Sequence, residues 1–307
     1  RMNDLYLDFN KKPGHGRKGW KRNHRRGSKK PLIIGLIILI IIAAAAAVGI
    51  HFFRQYRAQK AEEARQRALE KQIVDVTFPE GYSVDMMAKH LEDENIFKAD
   101  DFIAAVKDTS KYTNSWIKDL PKKDGVKYQL EGFLYPDTYE IYRNADPEDL
   151  VQKMLDNFEQ KYQALAKNYK GKRSMYDIVT IASIVEREAA VASERPTIAG
   201  VIENRLAKKM RLQMCPTVLY VTTDGMYDAN KVYYKDLKVK SPYNTYRNSG
   251  LPVGAICNPG NESLSAAMNP QKNDYLYYHT DGNKKTHIFT KTYQEHQDTR
   301  IITDDKS

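Results

Sequence analysis

The sequence predicts an α+β protein carried on a single membrane-spanning helix, and three observations support this. Leu32 to Ile50 is an unbroken run of nineteen uncharged, mostly aliphatic residues. At ~1.5 Å per residue it covers roughly the ~30 Å of a bilayer's hydrocarbon. Beyond it, stretches of period-two alternation mix with stretches of helical periodicity, without the regular strand–helix–strand rhythm of a parallel sheet. Near the end, "YLYYHTDGNKKTHIFT" sets two alternating runs around Asp281-Gly282, the signature of a hairpin.

Charge sets the orientation of the apolar run. The 307 residues carry a formal net charge of +10, and residues 1–30 hold eleven Lys and Arg against Asp4 and Asp8, a local charge of +9. Basic residues stay on the cytoplasmic side during insertion. The expected organisation is therefore a basic cytoplasmic tail (1–30), a membrane helix (31–53) in the plasma membrane, and everything after about residue 54 outside. A buried core helix would keep a polar stripe, which this run lacks, and a signal peptide's apolar region is shorter; cleavage after the alanines is the alternative. The tail, with Trp20 among its arginines, could also hold nucleic acid. Beside a membrane helix, topology and attraction to anionic lipid account for it, and no nucleic-acid partner is expected.

Residues 54–72 are rich in Ala, Glu, Arg and Gln and lack Gly and Pro, the composition of a solvated helical stalk. Residues 73–120 open with Val74, Val76 and Phe78 alternating as a half-buried strand, turn at Pro79 to Gly81, and enter a helix capped by Ser83, with Val84, Met87, Ala88 and Leu91 on one face. Phe102, Ile103 and Val106 mark a second helix. One strand with two small helices suits a binding or docking module better than an enzyme. The larger domain, 121–307, begins with dense aromatics (Tyr128, Phe133, Tyr135, Tyr139, Tyr142). Asp146-Pro147 then starts a long amphipathic helix through Leu150, Met154, Leu155, Phe158 and Tyr162. Helices over about 176–190 and 195–209 follow, then a segment rich in Tyr, Pro, Gly and Asn.

The only cysteines are Cys215 and Cys257, and no CxxC or HxxxH spacing occurs, so neither metal nor cofactor is predicted. Outside the membrane the two could pair, closing a loop worth perhaps ~3 to 4 kcal/mol, or remain free buried thiols.

The chemistry gathers at "IASIVEREAAVASERP", residues 181–196. At about 100° per residue, Glu186 and Glu188 both fall within the apolar arc of the helix yet point some 160° apart, so only one can enter a given cleft. A carboxyl in an apolar pocket has its pKa raised by desolvation, and can hold a proton for donation near neutral pH. The simpler reading pairs each glutamate with Arg187, Arg195 or Arg205 as a structural salt bridge. Spacing alone does not choose between them.

"IASIVEREAAVASERPTIAGVIENRLAKKMRLQMCPTVLY", "YNTYRNSGLPVGAICNPGNESLSAA" and "LEGFLYPDTY" together resemble the MltG/YceG family of endolytic murein transglycosylases. The order of tail, membrane helix, small LysM-like module and α+β catalytic domain is similar too. The likeness runs over roughly residues 74–296. It implies cleavage of peptidoglycan between N-acetylmuramic acid and N-acetylglucosamine without water, leaving 1,6-anhydro ends. It places the catalytic glutamate on Glu188, with Glu186 in support, and suggests that Gln213, Tyr243, Asn244 and Tyr246 line the cleft; scaffolding of the loops is the simpler reading of those four. His287 is the other nearby candidate for proton chemistry, read first as a satisfied histidine. Implied partners are peptidoglycan strands, the plasma membrane and the peptidoglycan synthases of division or elongation. The family often has Asp where this chain has Cys215 and a small residue where it has Cys257, and this paired change suggests a disulfide between them. A lysozyme-type hydrolase, using Asp137 or Glu194 as second carboxylate, and a non-catalytic peptidoglycan-binding scaffold are the alternatives.

Overall fold

The computed structural model describes residues 30–70, 72–229, 231–281 and 286–300. The basic tail and Trp20 lie outside the described residues. The chain divides into two compact units, 1–64 and 65–307.

The described residues of the first unit all belong to one helix, α1 (Lys30–Glu70), whose residues from Arg65 on are counted with the second unit. Its residues Leu32–Ala68 are long and apolar enough to cross a membrane. Leu32, Ile37, Ile41 and Phe52 all expose their side chains, as expected of an element whose apolar surface runs all the way round. The apolar run and the charged residues after it form one uninterrupted helix, because nothing from 51 to 70 is a Gly or Pro that would break it.

In the second unit, β1 (Ile73–Thr77) pairs antiparallel with β2 (Thr138–Tyr142), from Ile73 opposite Tyr142 to Thr77 opposite Thr138. Between them lie α2 (Val84–Asp93) and α3 (Ala99–Lys107). The expected N-cap is in place: Ser83 Oγ accepts from Met86 N at 3.1 Å, and Val84, Met87, Ala88 and Leu91 are buried. The partner of β1 lies beyond residue 120, so the expected module boundary falls inside one packed unit.

After α4 (Pro147–Ala166), which opens on the anticipated Pro147, comes α5 (Met175–Glu188). Ser174 caps it by accepting from Asp177 N at 3.1 Å. Every residue from Ile178 to Val185 is buried, so α5 carries apolar side chains all round and must be covered on all sides. Helices α6 (Arg195–Ala207), α7 (Cys215–Thr222) and α8 (Asn261–Met268) pack around it. The loop bearing "LEGF" presses close as well: a Cβ on Gly132, at φ +92°, would stand 2.5 Å from Val179 Cγ1 and 2.6 Å from Ala255 Cβ, so only glycine fits. The helix ends where Ala189 turns extended, at φ −69° and ψ 119°. That leaves Glu186–Glu188, the last turn of α5, half-buried at the edge of the core.

The hairpin forms from β3 (Tyr277–Thr280) and β4 (His287–Thr290), with Thr280 opposite His287. Its connection therefore runs from 281 to 286, longer than a two-residue Asp-Gly turn. Helix α9 (Tyr293–Thr299) follows, held by a capping box between Thr292 and Glu295.

Candidate active site

The last turn of α5 sends its two carboxyls to opposite sides, as the helical wheel requires. Glu186 turns inward and is paired: Arg195 Nη2 donates to Oε1 at 3.0 Å and the Gly260 main-chain N–H donates to Oε2 at 3.0 Å, with the side chain only 6% exposed. Arg195 also donates to Ser263 Oγ at 3.0 Å and to Glu262 at 2.9 Å. The simpler structural reading holds for this glutamate, which ties α5 to the start of α6 and the chain before α8.

Glu188 makes no ion pair among the described residues and lines a cavity of about 290 Å³. Burial pushes its pKa above the ordinary carboxylate range. Four neighbours pull the other way without reversing that: the Tyr278 hydroxyl, which also donates to Met214 Sδ at 3.0 Å, the Cys215 main-chain N–H, His287 and Arg205. The outcome is a carboxyl disposed to stay protonated yet open to a cavity.

Three structures build the walls. From α6, Arg205 is buried and held by the carbonyls of Leu276 (2.6 Å) and Leu212, and it faces the cavity with no carboxylate of its own. From the start of α7 come Gln213, Met214 and Cys215; the Gln213 backbone sits at φ +50° and its N–H donates to Thr245 O at 3.2 Å. From the hairpin come Tyr278, His279, Thr280 and His287. Behind His287 lies Glu194, on the short turn Ala192–Glu194; one of its oxygens accepts from the His287 main-chain N–H and the other meets Nδ1, both at 2.7 Å.

Of the four cleft residues expected, Gln213 and Tyr246 line this cavity. Tyr243 and Asn244 do not. Tyr243 is buried against Tyr220, its hydroxyl accepting from Lys127 N at 3.1 Å. Asn244 is fully buried, donating to the carbonyls of Leu237 (3.0 Å) and Val239 (2.9 Å) and accepting from Tyr246 N (2.9 Å). These two hold the loop that delivers Tyr246. The disulfide is corrected as well: both cysteines are free thiols. Cys257 is sealed in the core with Sγ on Ser183 O at 3.3 Å, while Cys215 Sγ sits against the Tyr246 hydroxyl at 3.1 Å, so each sulfur is engaged elsewhere. Burial pushes both thiols up, and neither is a nucleophile at neutral pH. Neither carboxylate of the hydrolase alternative lines the cavity: Asp137 accepts from Asn157 at 3.0 Å beside β2, and Glu194 is spent on His287.

Tyr278, His279, Thr280 and Met214 were missed, and Arg205 was considered only as a salt-bridge partner. The hairpin register supplies the missing signal: Thr280 opposite His287 and Tyr278 opposite Phe289 put Tyr278, Thr280 and His287 on one face. A larger cavity, about 410 Å³, lies beside the Glu186–Arg195 pair, but its charged residues, Arg195 and Glu262, are bonded to each other.

Comparison with known proteins shows the family. The model of the YceG-like family matches residues 52–300. The chain is similar to an endolytic murein transglycosylase of Bacillus subtilis, 37% identical over 72% of this chain and 62% of that protein. It is also similar to one of Streptococcus pneumoniae, 32% identical over 73% of this chain and 43% of that protein. The chain thus spans less than two thirds of the length of either relative. A crystal structure of a yceG-like protein from Listeria monocytogenes superposes with a TM-score of 0.63 at 34% identity, over 74% of this chain and 76% of that one.

Proposed function

The chain belongs to the YceG-like family, and from that premise we propose that it is a membrane-anchored lytic transglycosylase that cuts peptidoglycan strands internally and leaves 1,6-anhydromuramoyl ends. The observation that carries this reading is Glu188: a carboxyl with a raised pKa, unpaired by any cation, opening on a cavity. As acid, Glu188 protonates the departing glycosidic oxygen between N-acetylmuramic acid and N-acetylglucosamine. As base, it then takes the proton of the muramoyl 6-hydroxyl, which closes on its own anomeric carbon. A nucleophile already tied to the reacting ring has an effective molarity that removes the need for a second carboxylate. The retirement of Asp137 and Glu194 to other partners supports this over hydrolysis.

Gln213 and Tyr246 serve in this reading as hydrogen-bonding partners for acetamido and hydroxyl groups. A LysM-like docking role for the segment 73–120 is part of this reading, resting on β1, α2 and α3 with β2 supplied from beyond residue 120. The apolar helix supports a single-pass anchor in the plasma membrane, with the basic tail inside and the cavity outside, near newly made strands and the synthases that make them. The test is product analysis. Full-length protein in detergent, incubated with uncross-linked glycan strands, releases internal fragments whose masses show anhydro ends. Fragments with reducing ends would establish a hydrolase, and intact strands a binding scaffold.

A further inference from the structure

We propose that His287, locked by Glu194, is a second proton-handling residue, which takes the proton from the attacking sugar hydroxyl while Glu188 gives its own to the leaving oxygen. The inference rests on the lytic reading above and divides work that reading gave to Glu188 alone.

The geometry is that of an oriented base. The His287 side chain is 6% exposed and Glu194's is 11%. Both oxygens of this carboxylate are spent on one residue, at 2.7 Å from its main-chain nitrogen and 2.7 Å from Nδ1. A carboxylate beside Nδ1 fixes the ring proton there, which leaves the lone pair on Nε2. The only hydrogen bond of the ring among the described residues is the one at Nδ1, and the ring lines the Glu188 cavity. The Tyr278 ring, edge-on to the imidazole at 5.2 Å between centroids, holds its plane. A histidine serving only the core would have both nitrogens bonded; here one is anchored twice over and the other is presented to the cavity that holds the acid.

The step balances. As O6 bonds to C1, its proton passes to Nε2; the C1–O4 bond breaks, its electron pair stays on O4, and O4 takes the proton of Glu188. Imidazolium and carboxylate remain, and transfer of one proton from His287 to Glu188 resets the site without any co-reactant. The groups facing His287 are Glu194, Glu188, Arg205, Tyr278, Cys215 and His279.

The experiment uses the full chain in detergent on uncross-linked glycan strands, with wild type, His287→Gln, His287→Ala and Glu194→Gln. His287→Gln keeps shape and polarity but cannot carry a proton. Both it and Glu194→Gln are expected to lower kcat about 100-fold or more, with KM changed by less than about threefold. His287→Gln also removes the acid limb of the kcat–pH profile, and added imidazole partly restores His287→Ala but not Glu188→Gln. Should the alanine variant fail to fold, the near-isosteric Glu194→Gln decides. Wild-type kcat in His287→Gln, or a loss confined to KM with the pH profile unmoved, overturns the proposal. Reducing ends from wild type overturn the lytic reading first, and this one with it.

Discussion

Glu186 and Glu188 stand two residues apart in one turn of α5 and meet opposite fates. Glu186 finds a guanidinium and a main-chain N–H in a nearly sealed place. Glu188 finds a cavity, a tyrosine hydroxyl and an N–H, with the arginine nearest its pocket held by carbonyls instead. Burial is common to both; the counter-charge is not. A helix can place an acid in its apolar arc for cohesion or for chemistry, and the partner decides which.

Replacing each carboxyl by its amide should break the comparison most visibly. Glu188→Gln is expected to lower the rate of strand cleavage by about 10³-fold or more while leaving the melting temperature almost unmoved, since no ion pair is lost. Glu186→Gln leaves Arg195 only Glu262 and Ser263 as partners, and should cost about 1 to 2 kcal/mol, a fall of a few °C in melting temperature, with cleavage by the folded fraction kept within a few-fold. Rates and melts on the same two preparations check both. An equal loss of activity from the pair would erase the distinction.

Glu131 extends the series to a carboxyl with donors but no paired cation. It accepts from Val84 N, Tyr220 Oη at 2.9 Å and Asn258 Nδ2 at 3.1 Å, and burial pushes it from 4.5 up to about 8. Because the folded state binds this proton more tightly than the unfolded chain, its contribution is complete below about pH 4.5 and is lost as pH rises towards about 8. Denaturant titrations across that window should show stability falling by at most about 1.4 kcal/mol per pH unit, and Glu131→Gln should flatten the slope. The smallest effect belongs to Tyr278→Phe. Removing a donor to the charged form raises the Glu188 pKa further, so the basic limb of the rate–pH profile should move up, with activity lowered less than about tenfold.

How much of this could be read from the chain differs from part to part. The long apolar helix, α2 with its Ser83 cap, α4 with its Pro147 start and the end of α5 follow from local periodicity and capping, which one stretch of sequence contains. The opposed directions of Glu186 and Glu188 were legible too, but which of them met a cation was not, since Arg195 reaches Glu186 only because the turn Ala192–Glu194 folds back on α5. Tyr243 and Asn244 were misplaced for a related reason: a polar loop side chain can face a ligand or satisfy its own backbone, and Asn244 does the latter three times over. The hairpin was evident from its alternation, whereas its register, with Thr280 opposite His287, is a pairing between two strands that neither run specifies alone.

The proposed function depends first on the protonation state of Glu188. The most direct measurement is an NMR titration of the full chain labelled with 13C at its glutamate carboxyls, with the Glu188 resonance identified by its absence in Glu188→Gln. A midpoint clearly above the ordinary carboxylate value of 4.5 is expected for Glu188. A midpoint at or below it would mean that the carboxyl is already ionised when substrate arrives, and would contradict its assignment as the acid.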